Sequence, residues 1–151
     1  MEKKLRVLVA DDDEVLAIKI QSIIAGNSNV EKVKIEKNGR DEFLRILEFE
    51  PDIVFSDMQM PIMTGLAVIK KIKESQLEKE PQFILVTSDR SADLIVAARE
   101  LKFDIEYKPI SAERINEYID EFKYIIEETA KKNTEKSNNK KQGIFWRLFR
   151  I

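Results

Sequence analysis

Short apolar runs alternate with longer segments of helical period along most of this chain. The first run, Leu5–Ala10, is continuously apolar and branched, which is typical of a strand covered on both faces. Four further runs lie at residues 33–35, 53–56, 83–86 and 105–107, and a helical segment follows each of the five. Strands that alternate with helices favour a parallel sheet with right-handed crossovers. We therefore predict an α/β doubly wound fold, with a five-stranded parallel sheet and five helices.

The helix after the second strand is expected over residues 40–49, because apolar residues recur there at helical spacing. Phe43, Leu44 and Leu47 are predicted to face the core. Pro51 ends the segment, since proline restricts the residue before it and has no amide hydrogen with which to continue a helix.

The last predicted helix begins near Ala112 and is unusually long. Its apolar stripe continues as far as Thr129, about five turns, although about half that length would cover the sheet. The excess suggests a partner surface, which could be a second copy in a homodimer, or a signalling stem. Alternatively, the whole stripe packs on the chain's own sheet. The stripe consists of Ile115, Tyr118, Ile119, Phe122, Ile125 and Ile126.

Composition limits the chemistry open to this chain. Its 151 residues suffice for a domain with a full core, and it contains no cysteine and no histidine. Disulfides, thiolate zinc sites, cysteine or histidine nucleophiles and Ser-His-Asp triads are therefore excluded. Any catalysis would use carboxylates, hydroxyls, lysines and a hard cation. The N-terminus lacks the features of a signal peptide and no run is long enough to cross a bilayer, so we expect a cytoplasmic protein.

Charge is divided unevenly along the chain, although the net charge is only −2. From residue 131 onward seven basic residues stand against one acidic residue, so this part carries +6 and residues 1–130 carry about −8. We expect a folded domain over residues 1–130, a flexible basic linker over 131–142 and a short tail over 143–151. The acidic domain argues against nucleic acid as a partner.

The tail, residues 143–151, is both aromatic and basic. Drawn as a helix, Ile144, Phe145, Leu148 and Phe149 share one face, while two arginines lie away from it. Nine residues cannot cross a bilayer. They could lie in a membrane interface as a peripheral contact, insert into a partner's groove, form a disordered end or fold back on the acidic domain.

Chemically active side chains follow four of the predicted strands. The carboxyl ends of parallel strands meet at one edge of a sheet, so we expect these residues to share one crevice. The four motifs are Asp11-Asp12-Asp13 after the first strand, Asp57 after the third, Thr87-Ser88 after the fourth and Lys108-Pro109 after the fifth.

Asp57 is the candidate nucleophile, because carboxylates accept phosphoryl groups as aspartyl-phosphates. Phosphoryl transfer also needs a cation and fixed donors around the transferring oxygens. One of the three aspartates after the first strand can cap the following helix by accepting from its free amides. Like charges at a shared site repel, so the others would need a cation beside Asp57, and Mg²⁺ with oxygen ligands fits this requirement. Thr87 could donate its hydroxyl hydrogen, and Lys108 could supply its ammonium charge, to a phosphoryl oxygen.

Together these residues resemble the receiver domain of two-component response regulators over residues 4–127, in particular a single-domain receiver of the chemotaxis type. The resemblance implies a flavodoxin-like sheet in the order 2-1-3-4-5. It also implies that Asp57 takes a phosphoryl group from the phosphohistidine of a sensor kinase or phosphotransfer protein and switches a surface read by an output protein. The matching motifs are Asp11-Asp12, Asp57 with Met60-Pro61 and Gly65, Thr87-Ser88 and Lys108-Pro109.

The resemblance further implies roles for single residues. Asp12, Asp57 and the backbone carbonyl of Gln59 would hold Mg²⁺, and Asp11 would assist through water. Thr87 and Lys108 would bind the phosphoryl group. The chain would then be a phosphoacceptor that catalyses, at most, its own phosphorylation and dephosphorylation.

Two positions depart from the receiver pattern. Many receivers carry an aromatic residue three positions before the lysine, and here that position is Ile105, flanked by Phe103 and Tyr107. A Gly-Ala pair commonly precedes the last strand, whereas this chain has Leu101 and Lys102. We therefore expect an altered readout and an altered loop before that strand.

Two other interpretations stay open. Residues 11–15, Asp-Asp-Asp-Glu-Val, also fit an Asp-x-Asp-x-Thr/Val signature and so resemble haloacid-dehalogenase phosphatases, with Asp11 as nucleophile and Asp13 as general acid. Against this, the acidic motif expected after the lysine strand is missing and the loop after Asp57 would have no role. The other interpretation is a receiver fold used only as a non-switching binding scaffold.

Overall fold

The computed structural model of the chain describes residues 2–149, with side chains over 2–141. Five strands alternate with five helices, as the sequence predicts. The strands are β1 Leu5–Ala10, β2 Val30–Glu36, β3 Ile53–Asp57, β4 Gln82–Thr87 and β5 Asp104–Tyr107. The helices are α1 Glu14–Ala25, α2 Gly39–Phe49, α3 Gly65–Glu74, α4 Ala92–Leu101 and α5 Ala112–Phe149.

The strands form one parallel sheet in the order β2-β1-β3-β4-β5, which confirms the predicted doubly wound α/β fold and its strand order. Every residue of the central strand β3 is buried, as expected for a strand covered on both faces. The chain reverses its direction of winding between β1 and β3. Ligands bind outside the carboxyl ends of the strands at such a switch point.

The buried face of α2 differs from the one predicted. Leu44 and Leu47 are exposed to 54% and 42%, so their predicted inward orientation is wrong. The buried side chains of the helix are instead Glu42, Ile46 and Phe49. Spacings of four and three residues join these three, which places them on one side of the helix.

Contacts at the first turn of α2 explain that orientation. Asn38 caps the helix by accepting a hydrogen bond from the amide of Asp41. The backbone of Gly39 lies so close to Met63 that an added Cβ would overlap the Met63 carbonyl. The start of the helix is therefore held against the loop after β3, and this contact decides which side faces the sheet.

Helix α5 is a single helix of 38 residues, longer than the stripe predicted for it. It includes residues 131–142, for which the sequence predicts a flexible linker. These residues contain neither proline nor glycine, and Lys131 pairs with Glu128 of the preceding turn at 3.3 Å, so nothing in them ends a helix. The division into domain, linker and tail stays a prediction.

The chain forms two compact units, one ending at Ile119 and one starting at Asp120. Within the first unit, α5 buries Ile115, Tyr118 and Ile119. Over residues 2–149, no helix is both long enough and apolar enough to cross a membrane. The side chains of the tail, residues 143–151, lie outside the described residues, so the membrane or partner-groove contact stays a prediction.

Candidate functional site

The strand register brings the aspartates after β1 beside Asp57. Ala10 pairs with Ser56 between β1 and β3, so the next residues, Asp11 and Asp57, lie side by side at the carboxyl edge of the sheet. Carboxylate oxygens of Asp11, Asp12 and Asp57 lie within 4.8 Å of one another. Asp11 and Asp57 are buried, and Asp12 is exposed. The predicted acidic cluster therefore forms at the carboxyl edge of the sheet.

The negative charges of this cluster are only partly compensated. Burial raises the pKa of the Asp11 carboxyl, although a hydrogen bond from the Asp13 amide opposes the rise. The carboxylates of Asp57 and Asp12 raise that pKa further. The Nζ atom of Lys108 lies 3.0 Å from Asp57 Oδ1 and supplies one positive charge for three carboxylates. A hard cation with oxygen ligands would offset the remaining charge.

Asp13 has a separate, structural role. Its side chain is the N-cap of α1 and accepts a hydrogen bond from the Leu16 amide at 3.1 Å. Its own amide donates to Asp11 Oδ1 at 2.9 Å. A carboxylate engaged with the first turn of a helix is not the free general acid that the phosphatase interpretation requires.

Thr87 and Lys108 reach the same edge from β4 and β5. Asp57 pairs with Val86 on β4, so Thr87 stands one residue further along a strand about 4.8 Å away. Thr87 is buried, and its Oγ1 accepts a hydrogen bond from the Asp89 amide at 3.0 Å. The Lys108 amide donates to the Thr87 carbonyl at 2.9 Å, and the peptide bond after Lys108 is cis.

The loop after β3 contains a strained turn. Ile62 has a φ of 73°, in the left-handed region that a branched residue rarely adopts. The Met63 amide donates to the Pro61 carbonyl at 2.8 Å, which closes a tight three-residue turn around Ile62. Such strain tends to persist at functional sites, where the surrounding structure imposes it.

Gly65 allows this loop to pack against the end of β3. A Cβ at Gly65 would overlap the Asp57 carbonyl oxygen and lie 2.8 Å from Ser56 Oγ, so only glycine fits. The Gln59 amide donates to Asp57 Oδ1 at 3.4 Å. The predicted role of the Gln59 carbonyl as a metal ligand stays a prediction.

Sequence analysis missed a buried glutamate near Asp57. Glu42 is fully buried, and the Ser56 hydroxyl donates to its Oε2 at 3.1 Å. Its Oε1 has no hydrogen-bond partner among the described residues. Burial raises the pKa of Glu42 to about 8, despite the Ser56 hydrogen bond, which favours the charged form. The sequence carries one signal for this burial: Glu42 lies four residues before Ile46 and seven before Phe49, so the three share one side of the helix.

Both departures from the receiver pattern have structural counterparts. Ile105 is half-buried and packs against an apolar cluster that includes Phe103. Lys102 caps the C-terminus of α4 with a φ of 58°, a conformation that favours glycine. Tyr107 lies two residues after Ile105, and the guanidinium carbon of Arg90 lies over its ring, 4.1 Å from the ring centroid.

A family model described as the response regulator receiver domain matches residues 7–120. The chain therefore belongs to the response regulator receiver family, whose members accept phosphoryl groups in two-component signalling and interact with histidine kinases or phosphotransfer proteins. Receiver domains bind Mg²⁺ at an acidic aspartate cluster. The clustered carboxylates of Asp11, Asp12 and Asp57 fit that ion, which prefers oxygen ligands.

Individual relatives agree with this assignment. A protein-glutamate methylesterase/protein-glutamine glutaminase of Archaeoglobus fulgidus is 30% identical over 108 residues, which cover 72% of this chain and 31% of the relative. The REC domain of AraT, a response regulator of Geobacillus stearothermophilus, has a TM-score of 0.69 at 27% identity, covering 83% of this chain and 98% of that one. The response regulator domain of Thermotoga maritima CheB shares the fold, with a TM-score of 0.67 at 22% identity over 80% of this chain and 95% of its own.

The matched methylesterases are much longer than this chain. Their aligned segments span between 22% and 36% of their own length. The likeness therefore concerns their receiver part, and the activity in their names is a property of those proteins.

Proposed function

We propose that this chain is a phosphoryl-accepting response regulator in which Asp57 is phosphorylated from a kinase phosphohistidine with Mg²⁺. The observation that carries the proposal is the convergence of four charged groups at one sheet edge. The carboxylates of Asp11, Asp12 and Asp57 lie within 4.8 Å of one another, and Lys108 Nζ lies 3.0 Å from Asp57. A cap or turn would require one such carboxylate, whereas phosphoryl transfer requires the whole set.

In the transfer, a carboxylate oxygen of Asp57 forms a bond to phosphorus while the P–N bond of the phosphohistidine breaks. The electron pair of the broken bond returns to the imidazole nitrogen. When bound, Mg²⁺ supplies positive charge to the transferring oxygens. Asp12, Asp57 and the Gln59 carbonyl would hold the ion, and Asp11 would assist through water.

Lys108 and Thr87 would hold the transferred group. The Lys108 ammonium, now paired with the Asp57 carboxylate, would move to a phosphoryl oxygen as the carboxylate becomes an acyl phosphate, a mixed anhydride without the carboxylate's charge. Thr87 would donate its hydroxyl hydrogen to another oxygen. Both movements occur at the ends of β4 and β5, so phosphorylation would change the surface formed by these ends and switch the affinity for an output protein.

Several finer features of this function stay predictions. They are the identities of the kinase and the output partner, the cytoplasmic location, a homodimer through the last helix, and the exclusion of nucleic acid. Catalysis is proposed to extend no further than self-phosphorylation and self-dephosphorylation. The phosphatase alternative is weakened, because Asp13 caps α1 and the receiver family model matches the chain.

Incubation of the full chain with acetyl phosphate and Mg²⁺ tests the proposal by intact-mass measurement. We expect a gain of one phosphoryl group in the parent and none in Asp57→Asn. Asp13→Asn is the matched control, because it removes an adjacent carboxylate that caps a helix, and it should retain the gain. Phosphorylation of Asp57→Asn at Asp11 or Asp13 would refute the receiver mechanism. If the parent gains no phosphoryl group from acetyl phosphate and none from a phosphohistidine donor, the interpretation as a non-switching binding scaffold is favoured.

A further inference from the structure

A chain of hydrogen bonds ties the β4–α4 loop, residues 88–91, to Thr87. Thr87 Oγ1 accepts from the Asp89 amide at 3.0 Å, and Asp89 Oδ1 accepts from the Ser91 amide at 2.8 Å. The Ser91 side chain in turn caps α4 by accepting from the Leu94 amide. The conformation of the loop therefore depends on the hydroxyl that the proposed function assigns to a phosphoryl oxygen.

Arg90 extends from this loop across the end of β5. Its guanidinium carbon lies 4.1 Å from the centroid of the Tyr107 ring, well within the distance of a cation–π contact. Tyr107 is the register partner of Thr87 and immediately precedes Lys108. The contact between Arg90 and Tyr107 thus connects the loop after one phosphoryl-binding residue to the residue before the other.

The two side chains are placed so that this contact can open. Ile105 and Tyr107 are two residues apart on a strand and share a face of the sheet. Ile105 packs against the apolar cluster, whereas Tyr107 lies nearer the acceptor edge and is only half-buried. Arg90 is exposed, so water can solvate its guanidinium once it leaves the ring. An exposed cation–π contact shifts an equilibrium constant by only about two- to fivefold, which binding of a ligand can overcome.

We propose that the Arg90–Tyr107 contact is a latch, closed while Asp57 is unphosphorylated and opened when Thr87 and Lys108 turn toward a bound phosphoryl group. The proposal rests on the proposed function and adds the conformational change by which a partner would detect phosphorylation. When the Thr87 hydroxyl leaves the Asp89 amide, the loop that carries Arg90 is released. Opening exposes an aromatic ring and frees a guanidinium beside α4, which changes the surface offered to a partner.

Thermodynamic linkage gives the latch a measurable consequence. A ligand shifts a two-state equilibrium only by its differential affinity for the two states. If the contact exists only in the empty state, it opposes phosphoryl binding, and its removal must tighten binding by the same factor by which it favours the closed state. Arg90→Gln should therefore bind a phosphoryl mimic about two- to fivefold more tightly than the parent.

Titration of the full chain with beryllium fluoride in the presence of Mg²⁺, combined with amide hydrogen exchange, tests the latch. In the parent, the mimic should speed exchange over residues 88–91. In Arg90→Gln and Tyr107→Leu, exchange there should be about two- to fivefold faster than in the parent before the mimic is added, and the mimic should bind more tightly by the same factor. Tyr107→Phe keeps the ring and should resemble the parent. Arg99→Gln removes an exposed arginine from α4 and controls for the loss of charge.

The outcomes separate the latch from the function on which it rests. If the parent binds the mimic and Arg90→Gln matches the parent in both affinity and exchange, the latch is wrong and the receiver function stands. If Tyr107→Phe behaves as Tyr107→Leu does, the ring is not the partner of Arg90 and the latch is also wrong. If the parent does not bind the mimic, the proposed function fails and the latch fails with it.

Discussion

Aspartates are buried near both ends of the sheet, and the two ends differ in the charges that surround them: lysines at the amino end and other carboxylates at the carboxyl end. At the amino end, just before β3, Asp52 is paired with Lys79 at 2.9 Å and Lys3 at 3.3 Å, and it accepts the Arg6 amide at 2.9 Å. Burial alone would raise the pKa of Asp52, but these donors more than offset burial, and the pKa is lowered. This carboxylate stabilises the fold.

At the carboxyl end, Asp11 is similarly buried but lies beside other carboxylates. Burial raises its pKa, and the Asp57 and Asp12 carboxylates add to the rise. The same residue type is therefore a stabilising anchor at one end of the sheet and an unfavourable group at the other. A buried acid whose environment opposes its charge is a candidate functional residue, whereas a fully paired one is structural.

Asp52→Asn should produce the largest loss of stability. We expect the free energy of unfolding to fall by about 2 to 3 kcal/mol, because the charge that holds the Arg6 amide and two lysines is removed. Both lysines are partly exposed and would be solvated again, which limits the loss. Chemical denaturation with and without Mg²⁺ should give the same loss. A loss that Mg²⁺ abolished would contradict the structural assignment of this end.

Glu42→Gln should change how stability depends on pH. The pKa of Glu42 is about 8 in the folded protein and 4.5 in its reference state, so between these values the folded state binds the extra proton. This contribution is fully present below pH 4.5 and is lost as pH rises through about 8, with a limiting slope of about 1.4 kcal/mol per pH unit. Between pH 4.5 and about 8, the free energy of unfolding measured by denaturation should change less with pH in the variant than in the parent. Parallel curves would mean that Glu42 is ionised in the folded state.

Asp11→Asn makes at the carboxyl end the change that Asp52→Asn makes at the amino end, with the opposite expected sign. A raised folded pKa means that the charged carboxyl destabilises the fold as pH rises above its ordinary value of 3.8. Without Mg²⁺ the variant should gain about 1 kcal/mol at neutral pH. The side-chain oxygen of the new asparagine can still accept the hydrogen bond from the Asp13 amide.

Saturating Mg²⁺ should offset that gain, because the ion stabilises the parent by mass action and in the variant loses the water-mediated contact that Asp11 would make. Thermal denaturation of parent and Asp11→Asn, with and without the ion, measures both effects. If Asp11→Asn loses stability without Mg²⁺, as Asp52→Asn is expected to, the two ends are equivalent and the comparison fails.

Glycine substitutions should give the smallest effects and distinguish the two ends by function. Ile62 and Lys102 both adopt left-handed φ values, 73° and 58°, near the carboxyl and amino ends respectively. Each change to glycine should raise the free energy of unfolding by at most about 1 kcal/mol, because relieved strain is partly offset by a more flexible unfolded chain. Only Ile62→Gly should alter the rate of phosphorylation by acetyl phosphate. An equal rate change in Lys102→Gly would show that strain beside Asp57 has no special role.

The sequence alone was sufficient for the architecture and for the placement of the chemical groups. Strand and helix periods depend on neighbours along the chain, so their alternation predicted the doubly wound sheet. Because parallel strands share a carboxyl edge, the strand-end positions of Asp11, Asp57, Thr87 and Lys108 predicted that they would meet. Register then needed only to bring Ala10 opposite Ser56.

Tertiary contacts decided which side of α2 faces the sheet. The packing of Gly39 against Met63 orients α2, and so the acid at position 42 is buried while Leu44 is exposed. The separation of Asp13 from the other two aspartates is local instead, because Asp13 caps α1 by accepting a hydrogen bond from the Leu16 amide.

Long-range pairs had no local signal either. Asp52 meets Lys3 across 49 residues, and Arg90 meets Tyr107 from a different element. Periodicity and propensity report the neighbours of a residue along the chain. The orientation of a helix and the partner of a charge depend on residues distant in sequence, and only the folded chain brings these together.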